Sequence, residues 1–330
     1  MLIWWGKMTT IKNESLHLAV ASAADFIKGL PDGLLQCVIC DPPFGIGEAS
    51  FDKHYARAAT NVISGYAAAP EGAEEYAAWA KTWISELPRV LKPDGTVYIV
   101  CAWNHLCDIE LCLRAAGLTV FNHIIWKYNF GVYTQNKFVT SHYHILRCGK
   151  GTPKFYSRAY FNETDKVADG GSAQYCDMED VWTIKKEYSP GTQKNVNKLP
   201  DKLVEKMLFY ASAPGDWVAD FFMGNFTTAY VGRRSGRRVV GCDINKAVYD
   251  THAGAVADLA FDLAAGVVEK TSTKPENAGK KITEADRLAL IARYDVLKKD
   301  KTKKDSMAVL EVEFKRGHFS ILNILKAAGR

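Results

Sequence analysis

The chain has 330 residues, 48% of them apolar and 24% charged, with a formal net charge of +5 and eight cysteines. That length holds a full α/β domain and a smaller module, and the apolar share supplies a core, which excludes a disordered or low-complexity chain. No segment reaches the ~20 consecutive apolar residues of a membrane span, and the apolar run in MLIWWGKMTT is too short for a signal peptide, so a cytoplasmic protein with no membrane partner is expected, with Met8 as an alternative start.

The cysteines lack paired C-x2-C spacing and read as reduced thiols. His142 and His144 could share a strand face, but a strand facing a crevice accounts for them equally well, and no metal site is expected. Charge is uneven: residues 127–198 carry +4 and residues 270–330 carry +7, which leaves −6 elsewhere. An acidic core with two basic appendages suggests an enzyme held on a polyanion.

Residues 16–20 read as a strand, followed by a loop at Ser22 to Asp25, and residues 34–40 as a buried strand ending in DPPF. Residues 50–73 read as a loop. A helix from Glu74 to Leu91 is expected to stop at KPDG, where Pro93 and Gly95 break it. The strand TVYIVCA follows, then a helix near 105–116, a strand through Ile124 to Trp126 and its hairpin partner at 141–148. From 149 to 197 the pattern dissolves around one anchor, DVW at 180–182. Regular structure resumes with a helix at 200–212, a strand at 216–221, a glycine turn, a helix to Arg234, the strand RVVGCD and a helix from Lys246 to about Ala265. Strands alternating with helices predict an α/β doubly wound, mostly parallel sheet.

The corner CDPPFGIG stands at a strand's carboxyl end, where open α/β sheets bind ligands. Pro42 and Pro43 have no backbone N–H, so the corner is stiff and offers acceptors, the Asp41 carboxylate and the Pro42 carbonyl, beside the ring of Phe44. Two acceptors and a flat ring match a planar group carrying an NH2. Its alternative is a strand-ending turn without chemistry.

A second signature, DFFMGNFTT at 220–228, follows the strand WVAD. Gly224 permits close backbone approach, Asn225 with Thr227 and Thr228 can cap the next helix, and Asp243 lies nineteen residues beyond Gly224, where a carboxylate grips ribose hydroxyls in nucleoside-binding units. A nicotinamide enzyme fits this turn but gives DPPF no role.

DPPF, KPDGTVYI, IIWKYN, DVW and FFMGNFTT, in that order over residues 16–255, resemble the permuted β-group of amino-methyltransferases that modify adenine or cytosine in DNA. The resemblance implies a seven-stranded methyltransferase sheet with an antiparallel hairpin strand, S-adenosyl-L-methionine as cofactor and double-stranded DNA as partner. It implies that Asp41, Pro42 and Phe44 hold the target base. It also implies that Asp220, Phe222, Gly224 and Asn225 border the cofactor, that Asp243 holds its ribose, that Asp25 meets its adenine and that Lys198 stands near its methionine end. Aspartate at the first corner position, where serine is commoner among cytosine-N4 enzymes, favours adenine N6, with cytosine N4 as the alternative. Two departures, Phe221 for the usual Pro and Phe226 for a Gly, threaten the cofactor pocket and leave a catalytically impaired DNA-binding homologue as a further alternative.

Domain bounds are expected at 1–269, with a target-recognition region at 127–197, and at 270–330. Lys53 and Lys127 are candidate DNA contacts. In the tail, ITEADRLALIARYDVLKK spaces its apolar residues as a helix, and two short helices flank Lys315 to His318. They resemble a helix-turn-helix, with Lys315, Arg316, His318 and Asn323 toward DNA. Homodimerisation and a paired restriction endonuclease stay open.

Overall fold

The computed structural model describes residues 10–46, 69–129, 131, 135–136, 138–156, 178–186, 198–265, 277 and 281–330. The chain forms two compact units, Met1–Val267 and Val268–Arg330.

The first unit is built on one mixed sheet. Its strands are β1 (Thr10–Lys12), β2 (Leu16–Val20), β3 (Leu35–Cys40), β4 (Leu91–Cys101), β5 (Thr119–Lys127), β6 (His142–Gly149), β7 (Val181–Thr183), β8 (Trp217–Asp220) and β9 (Arg238–Asp243), in the order β1-β2-β9-β8-β3-β4-β6-β5-β7. The central run β2-β9-β8-β3-β4 is parallel, β6 is antiparallel to both β4 and β5, and β1 and β7 add short flanking strands. All six residues of β3 are buried, as the middle of a two-sided sheet requires.

Helices cover both faces. They are α1 (Ala23–Lys28), α2 (Ala73–Ile84), α3 (Leu106–Ala115), α4 (Asp201–Ala211), α5 (Thr227–Arg234) and α6 (Lys246–Ala257). One core lies against β3, β4 and α2 and holds Phe26, Trp83 and Phe221. The other, on the opposite face, holds Leu203, Met207, Trp126 and Phe226.

The seven expected strands are present, joined by the short β1 and β7 into a sheet of nine, and three expected elements differ. The stretch from Ser22 to Asp25, expected as a loop, caps and starts helix α1 at Ala23. KPDG does not end a helix: α2 stops at Ile84, a single helical turn spans Leu87–Val90, and Lys92 to Gly95 lie inside the eleven-residue β4. The β3–β4 register slips between Leu35 and Cys37, which admits Pro93, and the Lys92 ammonium is tied to Asp216 at 2.9 Å. The helix after Asp243 ends at Ala257, eight residues before Ala265.

The order β8-β3-β4 sets the site. Chain direction through the sheet diverges at β8 and β3, and their carboxyl ends leave a crevice between the Asp41 corner and the turn after Asp220.

The second unit has three helices, α7 (Glu284–Leu297), α8 (Lys303–Glu313) and α9 (His318–Ala327), around Leu290, Tyr294, Leu310, Ile321 and Leu325. Thr283 and Thr302 cap α7 and α8, accepting from the backbone N–H of Asp286 and Asp305. Among the described residues no helix is long and apolar enough to cross a membrane, and no cluster of three or more His, Cys, Asp or Glu could hold a metal ion.

Candidate active site

The crevice opens into a cavity of about 360 Å³. It is lined by Asp41, Pro42, Pro43 and Phe44 from the corner after β3, and by Asp220 to Asn225 after β8. Asp243 and Asn245 after β9 border it, as do Trp79 and Trp83 of α2.

Asp41 is the group whose chemistry stands out. Its Oδ1 is buried and has no hydrogen-bond partner. Burial, with the Asp220 carboxylate nearby, pushes its pKa up to about 8, and the Lys186 ammonium pulls against that rise. An unpartnered buried acceptor is costly, which points to an incoming donor.

The corner is held from three directions. The Tyr76 hydroxyl donates to the Pro43 carbonyl at 3.0 Å, Asn104 Nδ2 donates to the Phe44 carbonyl at 2.8 Å, and Phe44 packs on Tyr143 with ring centroids 5.1 Å apart. Gly45 has a positive φ of 60°, and a Cβ there would strike the Pro70 carbonyl and the rings of Tyr76 and His105, so the chain leaves the corner by a path only glycine allows.

The turn after β8 is equally determined. Asp220 accepts from the Phe222 N–H at 2.9 Å and from the Thr228 hydroxyl at 2.7 Å, which ties the strand end to α5. Its own burial raises its pKa to about 7. Asp243 accepts the N–H of Gly224 at 2.7 Å through one oxygen and that of Asn245 at 2.7 Å through the other. Each oxygen keeps a further lone pair, and the residue borders the cavity.

Phe221 and Phe226 do not close the cavity. Phe226 adopts the left-handed conformation that glycine takes most readily, φ 60° and ψ 23°, and its ring enters the core against His252 at 5.6 Å and Tyr249 at 6.2 Å. Phe221 borders the cavity with its ring buried 6.3 Å from that of Phe26.

Of the residues expected at the site, Asp41, Pro42, Phe44, Asp220, Phe222, Gly224, Asn225, Asp243 and Lys198 share the cavity. Asp25 does not. It is exposed and occupied in capping α1, accepting from the Ser22 hydroxyl at 2.7 Å while its N–H donates back at 3.2 Å, and Ser22, Ala23 and Ala24 border the cavity in its stead. The Ser-x-x-Asp spacing is itself a capping signature and could have revealed this.

Lys198 is paired with Asp201 at 2.7 Å. Lys127 stands on the exposed end of β5, away from the cavity, and Lys53 lies outside the described residues. In the second unit Lys315 occupies the turn between α8 and α9 with φ 50°, and Asn323 is exposed on α9. His318 pairs with Glu311 at 2.7 Å. Arg316 is buried at 7% exposure, so its guanidinium is not on an exposed surface as a DNA contact would need. Exposed lysines gather at the junction of α7 and α8, at Lys298, Lys299, Lys301 and Lys303.

Residues 35–253, two thirds of the chain, match the family model of the N6/N4 DNA methylases. The chain belongs to the DNA methylase family. This methylase is 27% identical over 240 residues to the Type II methyltransferase M2.DpnII of Streptococcus pneumoniae, a match that spans 71% of this chain and 87% of the relative. It is 26% identical over 240 residues to the Type II methyltransferase M.HpaI of Haemophilus parainfluenzae, covering 70% of each. Among solved structures, TTHA0409 of Thermus thermophilus, complexed with S-adenosyl-L-methionine, matches the methylase fold with a TM-score of 0.51 and 19% identity over 74% of this chain and 93% of that one. The cytosine-N4-specific PvuII DNA methyltransferase matches with a TM-score of 0.54 and 16% identity over 77% and 90%.

Proposed function

We propose that this chain is a site-specific DNA methyltransferase acting on the exocyclic N6 of an adenine turned out of the duplex, with S-adenosyl-L-methionine as the methyl donor. The observation that carries the reading is Asp41 Oδ1, a buried acceptor without a partner in a cavity that Phe44 also borders.

The residues present fit the donor. The spare lone pairs of Asp243 suit ribose hydroxyls, Trp79, Trp83 and Phe222 offer ring surface, and the Gly224 turn, with φ 48°, brings backbone to the cavity edge. When bound, S-adenosyl-L-methionine supplies a methyl group activated by the sulfonium charge.

The chain's own residues prepare the acceptor. An adenine amine is a poor nucleophile because its lone pair is delocalised into the ring. Asp41 and the Pro42 carbonyl accept its two N–H bonds, favour a pyramidal nitrogen and localise the lone pair. Positive charge then develops on nitrogen beside a carboxylate already aimed at it, a preorganised stabilisation, and that carboxylate is placed to take the proton the methylated nitrogen must shed. Stacking on Phe44 returns ~1–3 kcal/mol of the few kcal/mol spent on turning out the base. Asp41 must be ionised for this, because its proton would occupy an acceptor position.

The Asp41 corner favours adenine, and cytosine N4 presents the same two N–H donors to the same acceptors. The basic Val268–Arg330 unit is a second DNA contact in this reading, with the lysines between α7 and α8 toward phosphate. The test is incubation with methyl-labelled donor and mixed-sequence duplex, followed by nucleoside mass spectrometry. N6-methyladenine supports the proposal, N4-methylcytosine moves it to the other base, and no product with no donor binding by calorimetry refutes it.

A further inference from the structure

Lys186 stands at the end of a short segment that the sheet clamps tightly. β7 pairs in parallel with β5, the Ile184 N–H donates to the Lys127 carbonyl at 3.1 Å, and Trp126 Nε1 donates to the Ile184 carbonyl at 2.8 Å. Ile184 is thus fixed at both its backbone groups, and the chain delivers Lys186 two residues later to the cavity that holds Asp41.

Three rings receive its ammonium. Lys186 Nζ lies 4.6 Å from the ring centroid of Tyr128, 4.9 Å from that of Tyr143 and 6.0 Å from that of Trp126. Ring faces attract a cation and help to hold it in place. Among the described residues two lysines border the cavity, and the other, Lys198, is tied to Asp201 at 2.7 Å.

We propose that Lys186 is a positioning residue that acts through Asp41, the cation that keeps this carboxylate an acceptor for the incoming amine. The inference rests on the functional reading above and goes beyond it by naming how the acceptor is kept competent. The surroundings of Asp41 explain why a cation is needed. Asp220 faces it from the end of β8, Cys101 from β4 and Tyr76 from α2, with Cys40 beside it on β3, and none of these is positive. The Lys186 ammonium opposes the proton that burial and Asp220 draw onto Asp41. The aromatic wall holds the ammonium in place, and no hydrogen bond occupies the Asp41 Oδ1 that the amine requires.

The experiment is single-turnover methyl transfer by the full chain, with S-adenosyl-L-methionine and duplex DNA, from pH 6 to 10. Wild type is compared with Lys186→Met, Lys186→Gln and Lys186→Arg. Both uncharged variants are expected to move the acid limb of the rate profile up by about one pH unit, losing about tenfold on that limb and converging with wild type on the alkaline plateau. Lys186→Arg, still a cation for the three rings, is expected to restore the wild-type limb. An unshifted limb, or a loss of the same factor at every pH, overturns the proposal. A wild type that transfers no methyl group at any pH would instead defeat the functional reading itself, and this inference with it.

Discussion

The Tyr76 hydroxyl reaches from the N-terminal half of α2 to the Pro43 carbonyl at 3.0 Å, and the same ring stacks on His105 with centroids 3.8 Å apart and planes 5° from parallel. A residue thirty-three positions from the DPPF corner therefore fixes it. Tyr76→Phe removes one buried hydrogen bond and keeps the stack, so it is expected to cost ~1 kcal/mol of stability. Methyl transfer should slow by about tenfold, because the Pro42 acceptor is no longer held rigidly. Donor affinity by calorimetry is expected to stay within about twofold of wild type, which separates corner rigidity from cavity collapse.

Asp41→Asn tests the buried charge. The folded-state pKa of Asp41 is raised from 3.8 to about 8, so the folded protein binds this proton more tightly than the unfolded chain. Any stability linked to it is present below the ordinary carboxylate range and is lost as pH rises through about 8. The variant escapes that loss. It is expected to be more stable than wild type at about pH 8.5, on the order of a few kcal/mol, with the advantage shrinking toward about pH 4. Denaturant melts at the two pH values check the sign.

Phe226→Gly separates two effects at one position. Glycine relieves the left-handed backbone strain by ~1–2 kcal/mol but deletes a fully buried ring worth ~3–5 kcal/mol, so the variant is expected to melt at lower temperature. A rise in Tm would mean that the ring contributes little to the core.

Asp243→Ala releases both the Gly224 and the Asn245 N–H groups. Donor affinity is expected to fall by ~100-fold, on the order of 3 kcal/mol, as one charged acceptor and the turn it braces are lost together. Duplex binding by fluorescence anisotropy should change little.

The site's frame is legible in the sequence where chemistry is local. Asp41, Asp220, Gly224 and Asp243 each lie at or just beyond a strand end, and position along the chain fixes position in the crevice. Tyr76, Asn104 and Lys186 come from α2, from the 3-10 turn after β4 and from the segment after β7, and nothing in the spacing relates them to DPPF. Trp126 and Tyr128 are visible in IIWKYN, and Tyr143 in the alternation of SHYHIL, yet only the pairing of β5 with β6 and β7 brings them around one lysine.

The differences between sequence and structure have local causes too. KPDG carries the marks of a turn, but a register slip absorbs its proline within β4. Phe226 reads as an obstruction because a one-dimensional pattern records which residue replaces glycine, not that its ring points into the core. Arg316 reads as a surface charge from its basic neighbours, whereas in the structure it is buried.

The most direct test of the central claim compares wild type with Asp41→Ala in single-turnover methyl transfer to duplex DNA, with donor binding measured on both. Wild type is expected to give N6-methyladenine, and the variant a rate lower by at least ~100-fold with donor affinity largely retained. Equal rates in the two proteins would contradict that claim.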